Sequence, residues 1–342
     1  MTAYPGICAQ ADCTAALTGR CLESAPSPGE CPHFSVRDAA GGETAAASKP
    51  ATPPPTIRAL GRRFHPGLEL GLKDVLPVTR ARYSHLVGIL GSSNAGKTCL
   101  LTSLYLQACH GLLRPEFRFA GSLTLQGFEL RARKLRTWTN GSMPDQFADH
   151  TVLADPRSPA FVHMALDRPG RPGGQGRVEL LLADLPGEWS SQLINQASTA
   201  KRFDFLARAD ALVIVVEGPR LAFDSTRHAE LMNLRHLLRR LADDVGVDAH
   251  APLVLVASKC DELNMIVPPA LAEAEGYARD LGFFPAIVPT ASFSRRPERV
   301  PNGQGVIDVV HAILKGLPPI LEQTPPLQIQ KPFRSFWQHR DW

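Results

Sequence analysis

The sequence from residue 86 to residue 98, LVGILGSSNAGKT, decides the fold of this 342-residue chain. Five apolar residues, typical of a buried strand, lead into Gly91-Ser92-Ser93-Asn94-Ala95-Gly96-Lys97-Thr98, which matches the pattern G-x-x-x-x-G-K-[ST]. Helical periodicity follows over residues 97–110. This order of strand, glycine-containing loop and helix predicts a loop whose backbone N–H groups bind the phosphates of a nucleoside triphosphate. Lys97 would reach the β- and γ-phosphates, and the Thr98 hydroxyl would bind Mg²⁺.

Short β-rich runs alternate with helical stretches along the rest of the chain. The predicted strands are residues 86–90, 161–166, 178–183, 211–216, 253–257 and 286–289. The predicted helices are residues 97–110, 189–206, 220–244, 269–281 and 305–315. This alternation predicts an α/β fold, a P-loop NTPase three-layer α/β/α sandwich with a mostly parallel sheet. Residues 161–166 and 178–183 are separated by a Pro- and Gly-rich stretch, so we expect them to form a hairpin.

Composition and charge limit the class of protein. A hydrophobic content of 44%, a charged content of 20% and a net charge of +4 are ordinary for a soluble domain and too weakly basic to predict a nucleic-acid surface. Apolar runs such as residues 211–216 and 252–257 are far shorter than the about 20 residues of a membrane-spanning helix. Residues 1–10 lack the charged and apolar order of a signal peptide, so we expect a cytoplasmic protein with no membrane partner.

The two ends of the chain differ in composition from its centre. Residues 1–34 are rich in cysteine, residues 35–56 form an Ala- and Pro-rich linker, and residues 57–322 have a globular pattern. Residues 323–342 form an aromatic and basic tail that either packs on its own domain or binds a partner.

The cysteine-rich segment is a candidate zinc site. Its thiols are Cys8, Cys13, Cys21 and Cys31, and His33 is a fifth candidate ligand. In a reducing compartment such a group favours a tetrahedral Zn²⁺ site over disulfides. The spacing lacks the paired C-x₂-C of zinc ribbons, so a disordered arm with incidental cysteines remains the alternative.

A second motif follows the apolar run 178–183, where the chain continues Asp184-Leu185-Pro186-Gly187-Glu188. An Asp at the carboxyl end of a strand beside the phosphate-loop strand is placed to hold Mg²⁺. Gly187 has no Cβ, so its backbone N–H could approach a γ-phosphate closely. The alternative is a simple surface turn, because Asp, Pro and Gly are common turn residues.

A third motif follows the apolar run 253–257, where the chain continues Ser258-Lys259-Cys260-Asp261. The Asp261 carboxylate could accept hydrogen bonds from the ring N–H and the exocyclic amine of guanine, a pair that adenine lacks, and the aliphatic part of Lys259 could cover the base. After the last predicted strand, Thr290-Ala291-Ser292 offers the Ala291 N–H to the guanine carbonyl. Lys-x-Asp alone is common on surfaces, so its position after a strand is what favours base recognition.

The ordered motifs GSSNAGKT, DLPG, SKCD and TAS, within about residues 86–315, resemble those of a P-loop GTPase of the translation-factor-related class, which includes small GTPases. This resemblance implies GTP and Mg²⁺ as ligands and a sheet with one antiparallel edge strand. More narrowly, residues 119–129, FAGSLTLQGFE, are similar to bacterial double-GTPases, which are encoded beside a second GTPase in proposed conflict systems. The narrower resemblance implies a protein partner, either a second GTPase or an effector.

Several residues depart from the pattern of that class. Ser258 stands where Asn or Thr is usual, and Ser292 stands where Lys is usual. Glu188 occupies the position of the water-orienting Gln of many small GTPases, so either Glu188 orients water or a partner supplies this role.

The resemblance also assigns two further candidate residues. Asn94 occupies the loop position where K⁺-stimulated GTPases carry an Asn that helps to bind K⁺, although an Asn is also tolerated in a tight loop. The switch that contacts the γ-phosphate from the other side needs a Thr; Thr151 is the favoured residue, and Thr137 and Thr139 are its rivals.

Taken together, these motifs predict a Mg²⁺-dependent GTPase that acts as a molecular switch. Lys97, Glu188 and Asn94 are the candidate catalytic residues. Two alternatives remain open at this point, an ATP-using P-loop NTPase and a zinc-bearing adaptor that binds nucleotide with little hydrolysis.

Overall fold

A computed structural model describes residues 6–9, 27, 30–36, 66–81, 83–113, 115–136, 158–168 and 176–315 of the chain. The chain divides into two compact units, Met1–Arg63 and Phe64–Trp342. In the first unit, β1 (Gly6–Cys8) pairs with β2 (Phe34–Val36) in antiparallel orientation. The expected borders of the linker and of the tail stay predictions, because residues 37–65 and 316–342 lie outside the described part.

The second unit is built on a seven-stranded sheet. Across the sheet the strands are β4 (Arg118–Gly121), β5 (Phe161–Asp167), β6 (Arg177–Asp184), β3 (Ser84–Leu90), β7 (Ala211–Glu217), β8 (Leu253–Ser258) and β9 (Pro285–Pro289). The pairings from β6 through β3, β7 and β8 to β9 are all parallel. The predicted mostly parallel sheet is therefore confirmed.

The strand β5 is the one that runs against its neighbours. It pairs with β6 from Phe161 opposite Ala183 to Asp167 opposite Arg177, which is the predicted hairpin. A further antiparallel pairing joins it to β4, so the antiparallel strand lies one place in from the edge of the sheet. The sequence does not predict β4, because four residues that end in Gly121 carry too short a pattern to indicate a strand.

Helices cover both faces of the sheet. They are α1 (Leu72–Ala81), α2 (Lys97–Cys109), α3 (Leu125–Arg136), α4 (Gly187–Asn195), α5 (Gly218–Ala222), α6 (Asp224–Arg240), α7 (Pro269–Asp280) and α8 (Val306–Lys315). Alternate residues of β7 point to opposite faces, so Ile214 packs in one core with α4, α6 and α7, and Val213 in another with α2 and α8. Two cores on either side of one sheet confirm the three-layer sandwich.

Two predicted helices are interrupted. The predicted helix 189–206 is α4 followed by a 3₁₀ helix (Ala197–Arg208), because Gln196 between them has an extended backbone. The predicted helix 220–244 is divided at Phe223, which is also extended, and it ends in a π turn (Leu241–Val245). A single extended residue stops the helical hydrogen bonds without disturbing the apolar spacing, so periodicity alone did not locate these breaks.

The sequence pattern does not predict two further helices, α1 and α3. α1 contains Pro77, and α3 contains Gly127, and both residue types usually mark breaks. The reason for Gly127 is steric, since a Cβ there would lie 1.9 Å from the backbone oxygen of Leu68. Within the described residues, we find no helix with the length and apolarity that a membrane span requires.

Candidate functional site

The phosphate loop connects the end of β3 to the start of α2. Gly91 and Gly96 have φ values of 143° and 97°, and Asn94 has a left-handed φ of 64°. A Cβ on Gly91 would lie 2.2 Å from the Val215 carbonyl oxygen, so only glycine fits where the loop leaves the sheet. Because α2 begins at Lys97, the partial positive charge of its N-terminus lies at the end of the loop.

The side chain of Lys97 folds back along this loop. Its Nζ donates hydrogen bonds to the Gly91 carbonyl at 2.8 Å and to the Ser92 carbonyl at 2.9 Å. Burial lowers the pKa of Lys97 to about 8, although the nearby carboxylates of Asp184 and Glu188 act in the opposite direction. The ammonium group is therefore held over the loop, in position to meet negative charge bound there.

Asp184 is placed beside the loop by strand pairing. It is the last residue of β6 and lies opposite Ile89 of β3, one residue before β3 ends. The side chain is only 2% exposed. Arg131 of α3 donates to Asp184 Oδ2 from Nε and Nη2, at 3.3 Å each, and its Nη2 also donates to Glu69 at 2.6 Å.

The turn after Asp184 packs directly onto the phosphate loop. A Cβ on Gly187 would lie 2.3 Å from the Ser93 nitrogen and 2.7 Å from the Ser92 carbonyl carbon. The Ser93 hydroxyl donates to Glu188 Oε1 at 2.9 Å, and the Gly91 N–H donates to the Ser190 hydroxyl at 3.2 Å. The start of α4 thus meets the loop at three residues, Gly187, Glu188 and Ser190.

The third motif meets the loop from the other side. The Ser258 hydroxyl, at the end of β8, donates to the Ala95 carbonyl at 2.6 Å. Lys259 has a left-handed backbone with φ 56°, and its Nζ lies 2.9 Å from Glu217 Oε2. Asp261 is buried, and its Oδ2 accepts a hydrogen bond from the Arg295 N–H at 2.9 Å.

The backbone groups of Ala291, the residue predicted to meet the guanine carbonyl, have partners within the protein. Its N–H donates to the Gln304 carbonyl at 3.0 Å, and its carbonyl accepts from the Gly303 N–H at 2.7 Å. The two hydrogen bonds join residue 291 to residues 303–304, so the Ala291 N–H is engaged within the protein and its role in base recognition stays a prediction. The residue nevertheless lies near the third motif, since the Cys260 N–H donates to the Thr290 carbonyl at 3.0 Å.

Two groups of predicted site residues lie wholly or partly outside the described part of the chain. Thr151 and its rivals Thr137 and Thr139 lie outside it. Of the predicted zinc ligands, Cys13 and Cys21 also lie outside it, whereas Cys8 and Cys31 are described. The described residues contain no group of three or more His, Cys, Asp and Glu side chains that could hold a metal ion, so they give no support to zinc.

The donor atoms at the phosphate loop suit a hard divalent cation. The Asp184 carboxylate and the Thr98 hydroxyl are oxygen donors, the kind that Mg²⁺ prefers. Asp184 is buried at the end of β6, and Thr98 is the second residue of α2, which starts where the loop ends. These residues fit Mg²⁺ bound together with a triphosphate.

Sequence reasoning missed three residues of this site. No sequence motif marks Arg131 or Glu69 as a site residue, and the pattern around Ser190 predicts only a helix. Arg131 lies 53 positions before Asp184 and 62 after Glu69, so no local pattern joins them. The nearest sequence signal is the stretch 119–129, which ends two residues before Arg131.

The phosphate loop contacts the DLPG turn on one side and the SKCD turn on the other. On a mostly parallel sheet, this arrangement defines a P-loop GTPase. The sequence profile of the Double-GTPase 2 family matches residues 85–314. The chain belongs to the Double-GTPase 2 family.

The solved structures to which the chain is similar include GTP-binding proteins. One is a GTP-binding protein from the hyperthermophilic archaeon Sulfolobus solfataricus in complex with GDP, at 15% identity and a TM-score of 0.33, covering 71% of this chain and 56% of that one. Another is Roco2 RocCORdC from Methanosarcina barkeri bound to GDP, at 13% identity and a TM-score of 0.36, covering 69% and 49%. The alignments thus span about half the length of those proteins. No curated protein matches the chain.

Proposed function

We propose that this chain binds GTP with Mg²⁺ and hydrolyses it, acting as a molecular switch. The observation that supports this most directly is the contact of Gly187 with the backbone of Ser92 and Ser93. The turn that begins α4 lies on the loop itself, so a γ-phosphate bound by the loop would meet the Gly187 N–H. Loss of that phosphate would release the start of α4, which is the structural basis of a switch.

The phosphates and Mg²⁺ would be held by the first two motifs. The proposed phosphate-binding residues are Gly91, Ser92, Ser93, Asn94, Ala95, Gly96, Lys97, Thr98 and Gly187, with Thr151 as the proposed second switch residue. Thr98 and Asp184 are the proposed Mg²⁺ ligands. Bound Mg²⁺ would supply charge neutralisation on the phosphate oxygens. Lys97 adds a buried positive charge over the loop.

Hydrolysis would depend on residues next to the loop. Glu188 is held 2.9 Å from the Ser93 hydroxyl, which keeps its carboxylate beside the loop, and we propose that it orients the attacking water. Asn94 would help to hold a K⁺ ion that stabilises charge between the β- and γ-phosphates. Lys97 would stabilise the same charge.

Base recognition would come from the third motif. Asp261 is buried and oriented by the Arg295 N–H, so its carboxylate is fixed in one direction. Lys259 is held by Glu217, which steadies the aliphatic part of the side chain proposed to cover the base. Ser258 joins this motif to the phosphate loop through Ala95.

The choice between GTP and ATP tests this assignment. Binding of both nucleotides by the full chain is measured by calorimetry, with Asp261→Ala and, as the matched control, Glu262→Ala, an exposed carboxylate in the same turn. Loss of two hydrogen bonds to a charged acceptor is expected to weaken GTP binding about 100-fold. The control should bind as the wild type does. Tighter binding of ATP than of GTP by the wild type would establish the ATP-using alternative.

Hydrolysis is tested separately by phosphate release. The wild type is expected to turn over GTP slowly and Lys97→Ala not at all, because the variant lacks the charge over the loop. GTP binding without release above the Lys97→Ala level would instead favour an adaptor that binds nucleotide without hydrolysis.

The cellular role is proposed from the family alone. Membership of the Double-GTPase 2 family favours a second GTPase as partner, in a bacterial conflict or defence system. Co-purification with a GTPase encoded beside this chain would support that role.

Metal analysis of the purified chain, with Cys8→Ser as control, tests whether the cysteine-rich segment carries Zn²⁺.

A further inference from the structure

The guanidinium group of Arg131, which lies beside the proposed Mg²⁺ ligand Asp184, is shared between two carboxylates. Arg131 on α3 has a side chain that is 13% exposed. Its Nε and Nη2 both donate to Asp184 Oδ2, its Nη2 also donates to Glu69 Oε1, and its Nη1 donates to the Gly127 carbonyl at 3.1 Å. This cation therefore neutralises the residue proposed to hold Mg²⁺ and an acidic residue with no other assigned role.

The two carboxylates hold Arg131 unequally. The contact with Glu69 is 2.6 Å long, whereas both contacts with Asp184 are 3.3 Å long and converge on a single oxygen atom. Hydrogen bonds of this kind weaken beyond about 3.2 Å. Arg131 is thus bound firmly by Glu69 and loosely by Asp184, and a small movement would change the share that each receives.

The positive charge of Arg131 affects how Asp184 could bind a metal ion. Asp184 cannot give its full charge to a divalent cation while a guanidinium group lies against it, and the two cations repel each other across a buried site. We propose that Arg131 competes with the divalent cation for Asp184, and that Glu69 holds Arg131 back and so sets the Mg²⁺ concentration at which nucleotide is retained. This inference rests on the proposed Mg²⁺-dependent nucleotide binding.

Glu69 lies in the segment that precedes α1, so its hold on Arg131 depends on the position of that segment. The next residue, Leu70, exchanges two hydrogen bonds with Phe161 at the start of β5, at 2.8 and 3.0 Å. The Gly67 carbonyl accepts from the Gly127 N–H on α3 at 2.9 Å. Residues 66–71 are therefore hydrogen-bonded to the sheet and to α3, and a displacement that takes Glu69 away from Arg131 would leave the guanidinium group to Asp184.

The test is the Mg²⁺ dependence of GDP dissociation from the full chain, followed with a fluorescent GDP analogue. Arg131→Gln should lower the Mg²⁺ concentration for half-maximal retention about tenfold, because the competitor is gone. Glu69→Gln should raise it about tenfold, because Arg131 then turns fully to Asp184. The double variant should behave as Arg131→Gln alone does, since Glu69 acts only through Arg131. Arg133→Gln, an exposed arginine on the same helix, is the control and should match the wild type.

Competition for Asp184 predicts that the two single variants change the Mg²⁺ requirement in opposite directions, whereas a purely structural role of these residues does not. If both single variants weaken retention, or if Glu69→Gln still acts when Arg131 is absent, the inference is overturned. Should Arg131→Gln fail to fold, Glu69→Gln decides alone, and an unchanged or lowered Mg²⁺ requirement overturns the inference. If the wild type retains GDP equally with Mg²⁺ and with chelator, the proposed Mg²⁺ dependence fails as well.

Discussion

The contact between Gly187 and the phosphate loop can be tested by adding one methyl group. Gly187 is the first residue of α4; inside a helix alanine is favoured over glycine by about 1 kcal/mol, and at the first position by less. Helix propensity alone therefore predicts that Gly187→Ala stabilises the protein. The geometry predicts the opposite, because the added Cβ would meet backbone atoms of Ser92 and Ser93, which have no side-chain freedom to move away.

The size of the effect follows from the distances. The Cβ would lie 2.3 Å from the Ser93 nitrogen and 2.4 Å from the Ser93 Cα. Ordinary contact needs about 3.4 Å, so the start of α4 must move about 1 Å away from the loop. Overpacking of this kind costs about 1–3 kcal/mol. A displacement of about 1 Å at a reacting centre lowers turnover about 100-fold.

Two measurements are needed, urea unfolding and phosphate release from GTP. Gly276→Ala is the matched control, since Gly276 lies inside α7 and a Cβ there would meet nothing within 4 Å. We expect the control to be as stable as the wild type or more stable, with unchanged turnover. If Gly187→Ala behaves as this control does in both assays, the close packing of α4 on the loop is wrong.

Three further predictions address other parts of the site and fold. Burial and a hydrogen bond to Asp210 raise the pKa of Tyr83 to about 12 from 10.0, so its contribution to stability is complete below about pH 10 and is lost as the pH rises towards 12. The stability difference between wild type and Tyr83→Phe in urea unfolding should shrink across that range, and a constant difference would contradict it. Ser258→Ala should cost about 1–3 kcal/mol in urea unfolding, because it leaves the Ala95 carbonyl without its 2.6 Å hydrogen bond; unchanged stability would refute this. GTP turnover should be faster in K⁺ than in Na⁺, and Asn94→Gly, which suits the left-handed φ of 64°, should remove the difference; equal wild-type rates in the two salts would exclude the K⁺ role.

The sequence predicts well those features that depend on neighbouring residues. A continuous apolar run predicts each of the five parallel strands, β6, β3, β7, β8 and β9. Their parallel order places the motifs that follow them along one edge of the sheet. This is why Lys97, Asp184 and Gly187 come together around the loop although about 90 residues separate the first two.

Features that depend on distant contacts could not be predicted. Arg131 meets Asp184 and Glu69 only because Leu70 pairs with Phe161 and so brings residues 66–71 beside α3. The engagement of the Ala291 N–H by Gln304 is a pairing between two loop residues that belong to no strand. Neither contact leaves a periodic or compositional signal in the sequence.

The last strand of the sheet has a consequence for how the protein behaves in a crowded solution. β9 forms one edge of the sheet, and two of its five residues, Pro285 and Pro289, have no amide hydrogen. An exposed strand edge is a template on which strands of other molecules add, and proline removes the donors that such addition requires. These two prolines should therefore restrain self-association, and replacing both by threonine is expected to favour aggregation during expression.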